Sequence, residues 1–184
     1  NVNVVNRDEH PRETTLEALA KLKAPFKKEG GSVTAGNASG VNDGAACVLI
    51  TNREFADTHG LKPLARVIGI ASAGVEPKYM GIGPVPAVQK ILKQTGLTLD
   101  QMDVIELNEA FAAQSLAVIR DLGLDPERVN PLGGAIAMGH PLGATGAMRA
   151  ATVVHALQRR QLKYGMLTMC IGTGMGAAGI FERT

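Results

Sequence analysis

Between Leu64 and Thr184, short apolar runs alternate with stretches whose apolar residues recur at helical spacing. This alternation is the strongest constraint in the chain, because a strand buries one face, a helix buries one stripe, and the two satisfy each other in layers. Strands are expected over 65–71, 103–107, 164–171 and 177–182, and helices over 86–95, 110–122 and 143–160. Such an order predicts an α/β fold: a layered domain with a mixed, mostly parallel sheet. Only a glycine turn separates the last two runs, so that pair should be antiparallel. The uncharged run from Tyr164 to Phe181 reaches membrane-spanning length, but Gly165, Gly172, Gly174, Gly176 and Gly179 interrupt it, which fits two buried strands and a turn.

Ahead of this domain the pattern is less regular. Thr14-Thr15-Leu16-Glu17 offers a capping box for a short helix carrying Leu19 and Leu22, which Pro25 closes. Gly30-Gly31 and the small-residue stretch 34–44 read as a long irregular loop, in which Asn37, Ser39, Asn42 and Asp43 can all hydrogen-bond backbone. Residues 45–51 read as a buried strand with Cys47 as a small buried thiol, and a helix follows that ends at His59-Gly60 with Pro63 beyond. The chain opens on Asn1-Val2-Asn3 and not on Met, so upstream residues are expected to have been removed.

Charge and composition narrow the function. Nineteen Lys and Arg against seventeen Asp and Glu leave a formal charge of +2, and aromatic residues make up 3% with no Trp. Neither a polyanion-coating surface nor a stacking platform for bases is in prospect, so no nucleic acid and no membrane is expected as a partner. Cys47 and Cys170 stand far apart with no secretory signal, which argues for a reducing, cytoplasmic setting. His10, His59, His140 and His155 show no ligand spacing with one another or with the cysteines, so no metal site is expected.

Gly174-Met175-Gly176-Ala177-Ala178-Gly179 satisfies the G-x-G-x-x-G string of dinucleotide folds, but no helix follows to hold a pyrophosphate. Three other places carry chemistry. His140 lies between Gly139 and Pro141 in the glycine-rich segment 133–143, and its spacing leaves two readings open: a turn histidine satisfying local backbone, or a reactive imidazole. Cys170 ends an expected strand and runs into Ile171-Gly172-Thr173-Gly174; it is either an inert buried thiol or a group presented at a strand end, where open α/β sheets collect ligands. Asn108 ends another expected strand, either as a helix N-cap or as a carboxamide facing the same edge.

Taken together, Asn108-Glu109-Ala110-Phe111, Gly133-Gly134-Ala135-Ile136-Ala137-Met138-Gly139-His140-Pro141 and Cys170-Ile171-Gly172-Thr173-Gly174 resemble the three C-terminal motifs of the thiolases, the acyl-CoA acetyltransferases. Residues 35–44 resemble the family's segment beside the pantetheine of coenzyme A, and the four motifs in register cover essentially the whole chain. The resemblance implies the tail of a loop domain over 1–41, the last strand and helix of an N-terminal thiolase domain over 42–61, and a C-terminal thiolase domain over 62–184. It also implies that the nucleophilic cysteine belongs to an upstream half, in a motif that neither Cys47 nor Cys170 reproduces.

By the same resemblance, Cys170 is the general acid/base, and His140 activates the nucleophile and donates to the thioester oxygen. Asn108 holds a water at that oxyanion site, and the Gly172 N–H serves a second one. Ala35, Ser39, Val41, Met80, Ala110 and Phe111 would line the pantetheine and thioester, and Arg12 would reach a phosphate. Coenzyme A enters as a substrate, with no covalently bound cofactor. Leu132 stands where the family often has Asn. The implied partners are CoA thioesters, the missing N-terminal half and further copies of the chain, as a homodimer or homotetramer. Residues 7–15 look most like the β-ketoadipyl-CoA thiolases of aromatic catabolism, which form succinyl-CoA and acetyl-CoA from 3-oxoadipyl-CoA. A rival reading is an autonomous, non-catalytic module that binds CoA thioesters or pairs through open sheet edges; the resemblance implies that the chain alone lacks activity.

Overall fold

The structure, a computed structural model, describes residues 4–184; Asn1-Val2-Asn3 lie outside the described residues. Two short helices come first. In α1 (Leu16–Ala20) the Thr15 hydroxyl caps the Ala18 N–H, and in α2 (Arg53–Thr58) the Asn52 carboxamide caps the Phe55 N–H. His59 closes α2, its ring stacked on Phe55 and its Nδ1 2.9 Å from the Phe55 carbonyl, the helix-terminal role its position predicts.

The layered domain follows as β1 (Ala65–Gly74), a 3₁₀ turn (Pro77–Ile82), α3 (Pro84–Thr95), β2 (Val104–Leu107), α4 (Ala112–Leu122), α5 (Ala135–Met138), α6 (Thr145–Arg160), β3 (Tyr164–Ile171) and β4 (Met175–Arg183). Each expected strand and helix from 65 onward is present, with ends shifted by a few residues. Alternate residues of β3 face opposite sides. Met166 packs with Ile105, Ile91 of α3 and Ala178, whereas Leu167 packs with Val104 and with Val153 and Leu157 of α6. The sheet is therefore covered on both faces.

Strand order is β1-β4-β3-β2. The β3/β4 pair is antiparallel across the Gly172-Thr173-Gly174 turn, and the supposed dinucleotide string opens β4 and no helix. One expectation needs correction: the sheet is mixed but not mostly parallel, because only β2 and β3 pair parallel while β4 lies antiparallel to both β3 and β1. The cause is the tight glycine turn. β1, β2 and β3 all run the same way, but the hairpin slots the single reversed strand between two of them.

A second correction concerns 45–51. This segment is exposed and belongs to no strand, and Cys47 is an exposed thiol. A lone strand has no ladder to join, and no other described strand lies beside it, so the apolar run remains unpaired with Leu49 and Ile50 each 76% exposed. Among the described residues, no helix is long and apolar enough to cross a membrane.

Candidate active site

The parallel pairing of β2 with β3 sets the site. Leu107 is in register with Thr168, and the next N–H, that of Asn108, donates to the Thr168 carbonyl at 2.9 Å. Asn108 therefore leaves the sheet at its carboxyl edge fully buried, and Cys170 reaches the same edge two residues beyond Thr168 on the neighbouring strand. Asn130 reinforces this edge. Its side chain both accepts from the Leu107 N–H at 2.9 Å and donates to the Leu107 carbonyl at 2.8 Å, from a left-handed backbone (φ 48°) that Asn tolerates better than most residues.

His140 comes to this edge from the other direction, on the loop between α5 and α6. Its Nε2 lies 3.3 Å from Asn108 Nδ2, and its Nδ1 lies 2.7 Å from the Thr145 hydroxyl at the start of α6. The loop is fastened at two further points. The His140 N–H donates to Asn42 Oδ1 at 3.0 Å, while Glu109 accepts from the Ile136 N–H and from Asn130 Nδ2, both at 3.1 Å. Gly139, at φ 95°, is the residue that allows the chain to turn against the Asn42 carboxamide.

Charge and burial tune these groups in opposite senses. Burial, then the nearby Arg149 guanidinium, hold His140 below the ordinary histidine value, so the ring is neutral at physiological pH. Burial pushes the Cys170 thiol up from its ordinary value, partly offset by a backbone hydrogen bond, so it rests protonated. Arg149 itself is buried and pairs with Glu106 Oε2 at 2.9 Å, also reaching the Gly133 carbonyl at 3.3 Å. Burial raises the Glu106 carboxyl against the lowering pull of Arg149.

Of the sequence-derived site residues, Asn108 and His140 are in direct contact, and Cys170 lies on the neighbouring strand at the same edge of the sheet. Gly172 sits exposed in the adjoining turn with open space around it. The small-residue loop docks on the same region: Ser39 bonds the Ala110 carbonyl through its N–H (3.1 Å) and its hydroxyl (3.3 Å), Ala38 bridges Phe111, and Val41 bridges His140. Ser39 is thus tied to Ala110, and Val41 runs beside the His140 backbone. Met80 is in the 3₁₀ turn, which packs against β3, β4 and α4, its Gly81 on Gln114 of α4. Ala35 is in an exposed turn, and Arg12 is exposed with its Nε donating to the His10 carbonyl at 3.2 Å. Neither Ala35 nor Arg12 is drawn into the cluster by a described contact.

Sequence reasoning missed Thr145 and Arg149, and left Glu109 without a role; Asn42 does bond backbone, as its loop predicts, and its partner is the His140 N–H. All four act by fixing other groups. Thr145 carried a usable signal, a hydroxyl five residues after His140 at a helix start; Arg149 carried none, being one cation in a helix.

A carboxamide and an imidazole in contact at the carboxyl edge of a layered sheet, with a thiol on the next strand, fit the thiolase motifs that the sequence resembles. Comparison with known proteins agrees: residues 61–183 match the C-terminal domain model of the thiolases and residues 1–54 match the N-terminal domain model. The chain belongs to the thiolase family. It is 60% identical over 183 residues to a beta-ketoadipyl-CoA thiolase of Acinetobacter baylyi, covering 98% of this chain and 45% of the relative. It is 57% identical over 185 residues to the 3-oxoadipyl-CoA/3-oxo-5,6-dehydrosuberyl-CoA thiolase of Escherichia coli, covering 99% and 46%. The crystal structure of the Bacillus anthracis acetyl-CoA acetyltransferase superposes with a TM-score of 0.92 at 47% identity, over 100% of this chain and 48% of that one. The chain therefore spans about half the length of the relatives it matches.

Proposed function

We propose that this chain forms the C-terminal half of a thiolase that transfers an acyl group between coenzyme A and a 3-oxoacyl-CoA, with 3-oxoadipyl-CoA as the substrate cleaved to succinyl-CoA and acetyl-CoA. The observation that carries the reading is the Asn108–His140 contact at the sheet edge shared with Cys170. In this scheme a nucleophilic cysteine from outside the chain attacks the 3-oxo carbon and takes the acyl group as a thioester. Neutral His140 accepts that cysteine's proton at Nε2 and then donates from the same nitrogen to the developing oxyanion.

Asn108 Oδ1 is buried without a partner among the described residues, which suits it to hold a water at that oxyanion. Cleavage of the carbon–carbon bond leaves electrons on the α-carbon of acetyl-CoA. Protonated Cys170 donates the proton there, and its thiolate then accepts one from the incoming CoA thiol, while the Gly172 N–H steadies the acetyl oxygen. Ser39, Val41, Met80, Ala110 and Phe111 flank the pantetheine, with Ala35 further along and Arg12 toward a phosphate. The division 1–41, 42–61 and 62–184 into loop-domain tail, last part of the N-terminal domain and C-terminal domain belongs to the same proposal, as do a cytoplasmic location and assembly into a homodimer or homotetramer. Exposed Val67 and Ile70 on the edge strand β1 are apolar surface of the kind such assembly covers.

The test is thiolysis of 3-oxoadipyl-CoA by the full-length protein and by this chain alone. The expected result is turnover by the first and none by the second. No turnover by the full-length protein would remove the proposal, and turnover by the isolated chain would remove its claim about the nucleophile.

A further inference from the structure

A hydrogen-bond chain behind His140 bears on which ring nitrogen carries the proton. Thr145 is 2% exposed, and its hydroxyl donates to the Pro141 carbonyl at 2.9 Å. With its one proton on that carbonyl, which also takes the Ala144 and Thr145 N–H groups at 2.8 and 2.9 Å, the Thr145 oxygen accepts toward His140 Nδ1, 2.7 Å away. In that arrangement Nδ1 carries the hydrogen, and in the neutral ring Nε2 is left with a free lone pair. Asn108 agrees with this assignment: its Nδ2–H faces Nε2 at 3.3 Å, where only an acceptor is welcome, and its oxygen is the atom left without a partner.

We propose that Thr145 is a positioning residue of the thiolase reaction: its hydroxyl, held by the Pro141 carbonyl, locks His140 in the Nδ1–H tautomer and so keeps Nε2 free to take a proton. This rests on the reading of His140 as the base. Without the hydroxyl, the opposite tautomer becomes accessible, with its hydrogen on Nε2 and no lone pair there. The Pro141 carbonyl would keep the Ala144 and Thr145 N–H groups, at 2.8 and 2.9 Å, so the loss falls on the ring.

The experiment uses the full-length protein with ¹⁵N-labelled histidine, recording the ring nitrogen shifts of His140 in the wild type, Thr145→Val and Thr145→Ser, beside 3-oxoacyl-CoA thiolysis. The wild type and Thr145→Ser are expected to show Nδ1–H, with Thr145→Ser keeping kcat within about threefold of wild type. Thr145→Val is expected to gain Nε2–H signal and lose about a hundredfold in kcat, the scale of a disabled general base. An Nε2–H ring in the wild type overturns the proposal and requires no variant to fold. So does a Thr145→Val protein with unchanged shifts, or one with altered shifts and full activity. If the wild type shows Nδ1–H but cleaves no 3-oxoacyl-CoA, the thiolase reading fails while the tautomer assignment stands.

Discussion

Glu109 fills the space in which a Cβ on Gly134 would stand, so its carboxylate lies directly against the backbone that opens α5. From there it takes the Ile136 N–H and Asn130 Nδ2, and Asn130 in turn clamps both polar groups of Leu107. One carboxylate thus joins the end of β2, which presents Asn108, to the loop that presents His140. In Gly134→Ala the methyl group must displace the carboxylate, an overpacking that costs about 1–3 kcal/mol. Urea unfolding is expected to show that loss together with weakened thiolysis. A variant with unchanged midpoint and turnover would refute the role given to Glu109.

Cys170→Ala and His140→Ala, each in the full-length protein, are expected to lower thiolysis at least about a hundredfold, the range of general acid/base catalysis. Unchanged thermal midpoints would place the loss in the chemistry. Near-wild-type turnover in either variant would sink that residue's assignment.

The fold was largely legible because its elements are local: apolar periodicity marks α3, α6 and β3, and the glycine turn makes β4 reverse. The slot that β4 takes was not legible, since pairing partners across the sheet are set by distant contacts. The run 45–51 misled for the same reason: its apolar residues read as a strand, but no described strand lies beside it to pair with. At the site, Asn108, His140 and Cys170 stood out because each follows a strand or sits among glycines. Arg149 was hidden, because a residue in mid-helix shows nothing in sequence of what its side chain touches across the fold.

Arg149 and Glu106 form a buried pair, with side chains 5% and 0% exposed. Glu106 Oε1 has no hydrogen-bond partner among the described residues, so removing the cation would leave the carboxylate group uncompensated. Arg149→Met is expected to destabilise the protein by about 3–5 kcal/mol, and Glu106→Gln with Arg149→Met by much less, since an uncompensated buried charge is the main cost. Denaturant titration of the two variants checks this. Equal losses in both would show that packing, not charge, makes Arg149 necessary.

Burial, and then the same guanidinium, set the pH dependence. Burial and Arg149 both disfavour a protonated His140, so the neutral, proton-accepting ring persists below 6.5, the ordinary histidine value. The acid limb of kcat/KM in the full-length enzyme is therefore expected below pH 6.5. Cys170 is shifted the other way, above its ordinary 9.0, so the limb from loss of its proton lies on the alkaline side and the plateau between them is wide. In Glu106→Gln/Arg149→Met the cation's effect is gone but burial remains, so the acid limb moves up toward 6.5 without passing it. Folding follows the same sign: as pH falls through 6.5 the unfolded chain takes up the His140 proton before the native one does, and stability is lost. A pH–rate profile that places the wild-type acid limb above 6.5, or one that the double substitution shifts to lower pH, would rule out this account of His140.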